Sequence, residues 1–323
     1  MTQEVQTSTV PVECSGQRLD QVLAQLWPDY SRTRLQQWLK AGKVTIDGTI
    51  PRGKDKVWGG ESIALAVEAA LEETEPTEWA GQELPVNVVY QDEHILVVDK
   101  AAGVVVHPGA GNRELTLVNA LLHRFPELAI VPRAGIIHRL DKDTSGLLVV
   151  ARSLAAHHGL VEQLQAREFE REYRAIVLGI MTAGGTVDAP IGRHPVHRTR
   201  MAIAEGGRES VTHYRVLERF RIHTYIKLNL ETGRTHQIRV HMAHVDHPLV
   251  GDPTYGGRLR LPPKAAPELS EALRSFKRQA LHAAALGLIH PKTGEAMRWE
   301  SPVPDDMVNL LVRLREDVVA HGG

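Results

Sequence analysis

Three features of this 323-residue sequence predict an α+β protein whose larger part is a mostly antiparallel, mixed sheet. Short β-rich runs recur from Val86 onward, with hairpin signals between them. Helical stretches interrupt these runs without a regular βαβ repeat. A small helix–helix–strand unit precedes them, and the chain is long enough for two separately cored domains.

In chain order, Met1 to Val12 is polar and lacks the apolar core of a signal segment, so residues 1–15 are expected to be a disordered tail. Leu19, Val22, Leu23 and Leu26 fall at i, i+3, i+4 and i+7, the stripe of an amphipathic helix that Pro28 should end. Ser31 suits the N-cap of a second helix, Arg32 to Lys40, with Leu35, Trp38 and Leu39 on its apolar side. Ala41-Gly42 stops it, and Lys43 to Gly48 alternates and then turns, as a strand does. Arg32, Arg34, Lys40 and Lys43 can share a polar face, which as a bare pattern equally describes a solvated helix surface. The acidic stretch that follows, with Pro76 and Gly81, reads as a linker over 69–85. Strands are expected at Val88–Tyr90, Ile95–Val98, Gly146–Val150, Tyr173–Leu178, Val211–Arg219, Ile222–Leu230 and Leu281–Ile289, and helices at Leu154–Arg167 and Gln237–His244.

The single cysteine, Cys14, rules out an intramolecular disulfide and fits a reducing cytoplasm. No apolar run approaches the ~20 residues that span a bilayer, so no membrane partner is expected. A net charge of −1 argues against a polyanion ligand, but its distribution argues for one. Gly16 to Lys56 carries eight Lys/Arg against four Asp/Glu, Glu61 to Asp99 carries ten acids and no Lys or Arg, and Arg133 to His241 carries seventeen Lys/Arg against eleven acids. The footprint of a nucleic acid is local, so segregation weighs more than the total.

Chemistry concentrates in His138-Arg139-Leu140-Asp141-Lys142-Asp143-Thr144-Ser145-Gly146, a charged stretch between the apolar Ile136-Ile137 and Leu147 to Val150. A polar loop on a rigid scaffold is a common place for catalysis, and spacing alone fits a charged turn between strands equally well. Histidine is abundant, and His236, His241, His244 and His247 invite a metal reading. The spacing is not His-Glu-x-x-His, and no cysteine or obvious carboxylate completes a site, so no metal is expected.

His138 to Gly146 resembles the signature of the RluA class of pseudouridine synthases, whose catalytic aspartate follows Arg-Leu and corresponds here to Asp141. Lys100, Val106 to Gly109, Arg171-Glu172-Tyr173, Gly233 to His241 and His247 to Asp252 fit the same class in order. Arg18-Leu19-Asp20, Ser31-Arg32, Gly42-Lys43-Val44 and Asp47-Gly48 resemble the S4 RNA-binding domain. With that start included, the likeness covers nearly the whole chain and is nearest the D-type enzymes of large-subunit ribosomal RNA.

The resemblance implies a small N-terminal α/β S4 domain over 16–68 and a catalytic domain of the pseudouridine synthase fold over 86–320. It implies isomerisation of specific uridines, several of them neighbours in one 23S rRNA stem-loop, with a role in ribosome assembly. Asp141 is then the nucleophile or base, Arg239 its ion-pair partner, and Tyr173 a platform for the base and candidate proton acceptor. An Arg fork suits a carboxylate better than an ammonium does. Arg139, His138, Lys142, His107 and Arg234 are expected to contact RNA beside Arg32, Arg34 and Lys43 of the first domain. Arg193, His194, His197, Arg198 and Arg200 lie on an expected exposed loop with the same task. No cofactor is implied, because the reaction neither gains nor loses atoms, and a monomer is expected. Two other classes compete. One is a non-catalytic S4-type RNA-binding or assembly factor. The other is a hydrolase pairing Asp141 with Asp143 in the manner of a glycosidase.

Overall fold

The computed structural model describes residues 3–27, 32–68, 79–109, 112, 114–197 and 199–322, the side chains of 3, 4, 32–34, 37, 67 and 68 excepted. The chain divides into two compact units, Met1–Glu73 and Thr74–Gly323.

The first unit contains β1 (Gln3–Thr9), α1 (Leu19–Leu26), α2 (Arg32–Lys40), β2 (Val44–Ile46) and β3 (Ser62–Glu68), with the strands ordered β1-β3-β2. Leu19, Val22 and Leu23 of α1 meet Leu35 and Leu39 of α2 over Val44, Ile63 and Leu65, so the predicted apolar stripes form one small core. The expected disordered tail is overturned. Gln3 to Thr9 pairs antiparallel with the whole of β3, and Val10 and Cys14 are buried in the same core. This strand is held by its main-chain ladder and keeps an open face, so its side chains carry little apolar signal.

The second unit runs through β4 (Asn87–Gln91), β5 (Ile95–Lys100), α3 (Leu117–Arg124), β6 (Ser145–Ala151), α4 (Leu154–Gln165), β7 (Glu170–Leu178), β8 (Gly185–Asp188), β9 (Ile191–Arg193), β10 (Met201–Ile203), β11 (Val211–Arg219), β12 (His223–Leu230), α5 (Gln237–His244), α6 (Pro267–Ser275), β13 (Leu281–Ile289), β14 (Ala296–Glu300) and α7 (Asp305–Ala320). Its main sheet runs β4-β5-β6-β13-β7-β12-β11-β8, with β14 also on β13. All pairs in it are antiparallel except β6 with β13. The predicted mixed, mostly antiparallel α+β architecture is therefore present.

Alternation along the central strands builds two cores. Leu96, Val98, Leu148 and Val150 face α3 and α5, whereas Ile95, Val97, Leu147 and Val149 face α4. A third cluster joins α6 and α7 to β7 through Leu273, Leu310, Leu314 and Ile176. Part of the expected linker belongs to this unit. Asn119 Nδ2 donates to Ala80 O, and Gln82 N donates to Asn119 O, which docks this stretch on α3. Residues 69–78 of the expected linker lie outside the described residues.

The short parallel contact between β6 and β13 positions the charged loop. Gly146 has φ +112°, and a Cβ there would lie 2.2 Å from Ala283 O. Only glycine lets β6 approach β13 this closely, immediately after Asp141 to Ser145.

Candidate active site

Asp141 sits in the loop that enters β6, and that loop is held by its main chain. Lys100, buried at the end of β5, donates from Nζ to Ala101 O (2.9 Å), Val104 O (2.9 Å) and Lys142 O (3.0 Å). All three ammonium protons thus have acceptors. Burial lowers the Lys100 ammonium to about 8, against the opposing pull of Asp143 and Asp141. Thr144 N closes a turn onto Asp141 O, and Gln279 Nε2 donates to Thr144 Oγ1 at 3.0 Å.

Across the cleft, the start of α5 is fixed by Gln237. Its Oε1 accepts from Arg234 N and Thr232 Oγ1, and its Nε2 donates to Val211 O and Thr212 Oγ1. Two residues on, Arg239 is 5% exposed and points its guanidinium at two carboxylates. Nη1 donates to Asp141 Oδ2 at 2.9 Å, while Nε and Nη2 grip Asp252 at 2.6 and 2.9 Å. Asp252 has no exposed side-chain surface and also accepts from Thr254 N and Tyr255 N. Burial alone would raise its carboxyl, but these bonds, chiefly those from Arg239, bring it below the ordinary aspartate range. Asp252 therefore fixes the fork, and Asp141 receives a single charge-assisted bond from it.

His236, in the left-handed region at φ +57°, brings Nε2 to 3.8 Å from Asp141 Oδ1. Its Nδ1 lies 2.8 Å from the Tyr255 hydroxyl, which accepts from Met201 N. If that hydroxyl donates onward to Nδ1, the ring proton sits on Nε2, toward Asp141. Burial lowers the His236 imidazolium, which favours this neutral form. The Arg239 guanidinium lies over the Tyr255 ring, 5.0 Å from its centroid.

Asp141, Arg239, Tyr173, Arg139, His138 and Arg234 all border one cleft of about 510 Å³, within the range of small-ligand sites. Tyr173, on β7 between β12 and β13, is 7% exposed. Burial pushes its phenol up, with Arg171 opposing and Asp141 adding to the rise. It therefore presents a neutral ring and hydroxyl at neutral pH. Arg171 beneath it ties β7 to the end of β12 by donating to Leu230 O and Glu231 O.

Other expected residues are placed differently. His138 accepts from Val149 N through Nε2 at 3.2 Å and meets the edge of Phe169, and burial lowers it to about 3. Its acceptor nitrogen is thus committed to β6. Lys142 is exposed, and neither it nor Asp143 borders the cleft, which removes the paired-carboxylate geometry of a glycosidase. Arg139 is exposed at the cleft mouth, and His107 lines a neighbouring pocket rather than the cleft. Lys43 immediately precedes β2 in the first unit and is half-buried, while the side chains of Arg32 and Arg34 lie outside the described residues. The expected loop of Arg193 to Arg200 is the exposed turn of the β9–β10 hairpin, and Arg198 lies outside the described residues.

Both His241 nitrogens are engaged, one with Thr212 Oγ1 and the other with Ala189 O. Among the described residues no three His, Cys, Asp or Glu side chains gather as for a metal ion, and no helix is long and apolar enough to cross a membrane. Sequence reasoning missed Asp252 and His236 as site residues, although both stand inside matched motifs. Asp252 stands in Gly251-Asp252-Pro253, which by sequence is also a plain turn.

Known proteins resemble this chain over most of its length. A family model described as RNA pseudouridylate synthase matches residues 94–244, and an S4 domain model matches residues 17–61. The chain is 57% identical to the ribosomal large subunit pseudouridine synthase D of Pseudomonas aeruginosa, over 97% of both chains. It is 53% identical to that of Escherichia coli K12, over 99% of this chain and 98% of the relative. The solved structure of human RNA pseudouridylate synthase domain containing 4 superposes with a TM-score of 0.56 at 27% identity, over 71% of this chain and 93% of that one. Human RNA pseudouridylate synthase domain containing 1 gives 0.53 at 29% identity, over 73% and 86%.

Proposed function

From the chain's membership in the RluA family of RNA pseudouridine synthases with an N-terminal S4 domain, we propose that it isomerises uridines of large-subunit ribosomal RNA to pseudouridine, with Asp141 as the reacting carboxylate. The observation that carries this reading is the Arg239 fork, which aims one guanidinium nitrogen at Asp141 in a cleft bordered by Tyr173.

The reaction breaks the N-glycosidic bond, turns the base and joins it to the sugar through carbon. The target must first leave the RNA stack, which costs a few kcal/mol, on the order of one lost stacking step. Phosphate contacts offset that cost, and the exposed Arg139 and half-exposed Arg234 at the cleft favour them. Asp141 attacks the sugar, attacks the base, or removes a proton as a glycal forms. In each case Arg239 balances charge on the carboxylate, and the Tyr173 ring carries the freed base. The tyrosine hydroxyl, held as a phenol, serves as a hydrogen-bond partner of the base more readily than as a base itself. Lys43 and the arginines of α2 in the S4 domain add affinity and raise the local concentration of the catalytic unit on its substrate. Several neighbouring uridines of one stem-loop are the targets, and the modification takes part in ribosome assembly.

The test is purified protein with large-subunit RNA, free and in particles, assayed for pseudouridine and for free uracil. Pseudouridine without uracil is expected, and Asp141→Asn should give neither. Released uracil, or full activity in Asp141→Asn, contradicts the proposal.

A further inference from the structure

Beside the Asp141 cleft lies a second pocket of about 320 Å³, bordered by Trp79, His107, Arg133, Ile136 and Arg139 among others. Ile137, His138 and Arg139 border both cavities, so the two adjoin along one stretch of chain. Three features set this pocket apart from an ordinary surface hollow.

The first is its uncompensated charge. Arg133 and Arg139 are both exposed, and neither has a carboxylate partner among the described residues. The second is a buried polar atom without a partner. His107 Nε2 has no hydrogen bond among the described residues, an arrangement that folded proteins largely avoid. Burial first, then Arg133 and Arg139, lowers this imidazole to about 4. It is neutral at neutral pH, suited to the edge of a base rather than to adding a third cation. Trp79 meets the ring edge-on, with centroids 6.0 Å apart. The third is backbone strain. Arg133 (φ +55°) and Ala134 (φ +51°) are both left-handed, followed by Gly135, where a Cβ would lie 1.9 Å from Ala151 O. Two consecutive non-glycine residues in this region are costly, and such strain concentrates where a side chain must be presented. One of the two is Arg133, which borders the pocket.

We propose that this pocket receives one unstacked nucleotide of the substrate RNA beside the target uridine, its phosphate between Arg133 and Arg139 and its base against Trp79 and His107. A strand leaving the Asp141 cleft passes over Arg139 and enters the pocket. A modest turn of the His107 ring gives Nε2 the partner it lacks. The pocket then selects targets by what lies next to them. This inference rests on the reading of the protein as an RNA-modifying enzyme.

The test is a binding scan on a large-subunit stem-loop RNA in which each loop nucleotide in turn is made abasic. The intact protein is compared with Trp79→Ala, with His107→Phe, which keeps the ring and removes its nitrogens, and with Arg133→Ala at an exposed position. For the intact protein, one abasic site beside the converted uridine should weaken binding about tenfold, as loss of one stacked base does. In Trp79→Ala and His107→Phe that penalty should shrink to about twofold. Arg133→Ala should lower the salt slope of binding by about one for every RNA. A uniform scan, or an abasic penalty equally large in these variants, overturns the pocket. Conversion is assayed on the same RNAs. If the intact protein converts no uridine in any large-subunit fragment, the functional reading fails, while the pocket is still decided by the binding scan.

Discussion

Asp141 is oriented by a guanidinium it shares with another carboxylate, and that sharing has consequences at the level of single residues. Asp252 occupies two of the three Arg239 nitrogens, so its loss frees the fork to swing away from Asp141. Asp252→Ala is expected to lower turnover at least tenfold and to destabilise the protein by about 3–5 kcal/mol, the usual cost of breaking a buried pair. Both are checked by kinetics and denaturant unfolding. The pH dependence follows from the lowered Asp252 carboxyl. Its contribution is fully present above the unfolded aspartate value of about 3.9 and is lost as pH falls through the lower folded value. Asp252→Asn should therefore flatten the acid limb of the stability profile, and an unchanged limb would show that Asp252 is not so coupled. Tyr173 separates ring from hydroxyl. Tyr173→Phe should keep RNA affinity within about twofold while lowering turnover, and Tyr173→Ala should lower both, as removal of a stacking face does. Asp141, Arg239 and Tyr173 were legible in the sequence because each stands in a motif. Asp252 was not, since Gly251-Asp252-Pro253 also reads as a plain turn and its partner is on a helix thirteen residues earlier.

The elements deliver these residues through main-chain anchoring that composition does not advertise. Lys100 ends a strand and matches the family, but nothing in the sequence announces that it holds three carbonyls, one of them that of Lys142 next to Asp141. Lys100→Met leaves those acceptors without their donor. It is expected to cost about 2–4 kcal/mol, from the ~1–3 kcal/mol of each unsatisfied buried group with partial relaxation. Activity should fall with the loosened loop. Unfolding curves and turnover check it, and a stable, fully active variant would contradict the anchoring role. Strands buried on both faces, such as β6 and β13, stood out as apolar runs. Strand β1 did not, because its pairing uses backbone groups that any polar sequence supplies. The helix α5 was visible from its residues, but not the Gln237 network that aims it, since those partners come from β11 and the end of β12.

At the scale of the whole molecule there are two units with separate cores, and the proposed function assigns RNA affinity to the first and chemistry to the second. Removing residues 1–73 should leave the catalytic unit folded, raise KM by about 10–100-fold through lost effective concentration, and change kcat little. A collapse of kcat at saturating RNA would show instead that the first unit is needed for the chemical step. The division was legible in the charge distribution, with a basic first unit followed by an acidic stretch, but the docking of that stretch's end was not. Trp79 to Gln82 reads as acidic linker, although Ala80 and Gln82 bond to Asn119 of the catalytic unit. The central claim, that Asp141 isomerises uridines of large-subunit ribosomal RNA, is tested most directly by mapping pseudouridine in that RNA. Cells carrying the intact protein are compared with cells carrying Asp141→Ala at equal abundance. The account predicts that a few specific pseudouridines vanish in the variant while the rest of the map is unchanged. An identical map in both would contradict it.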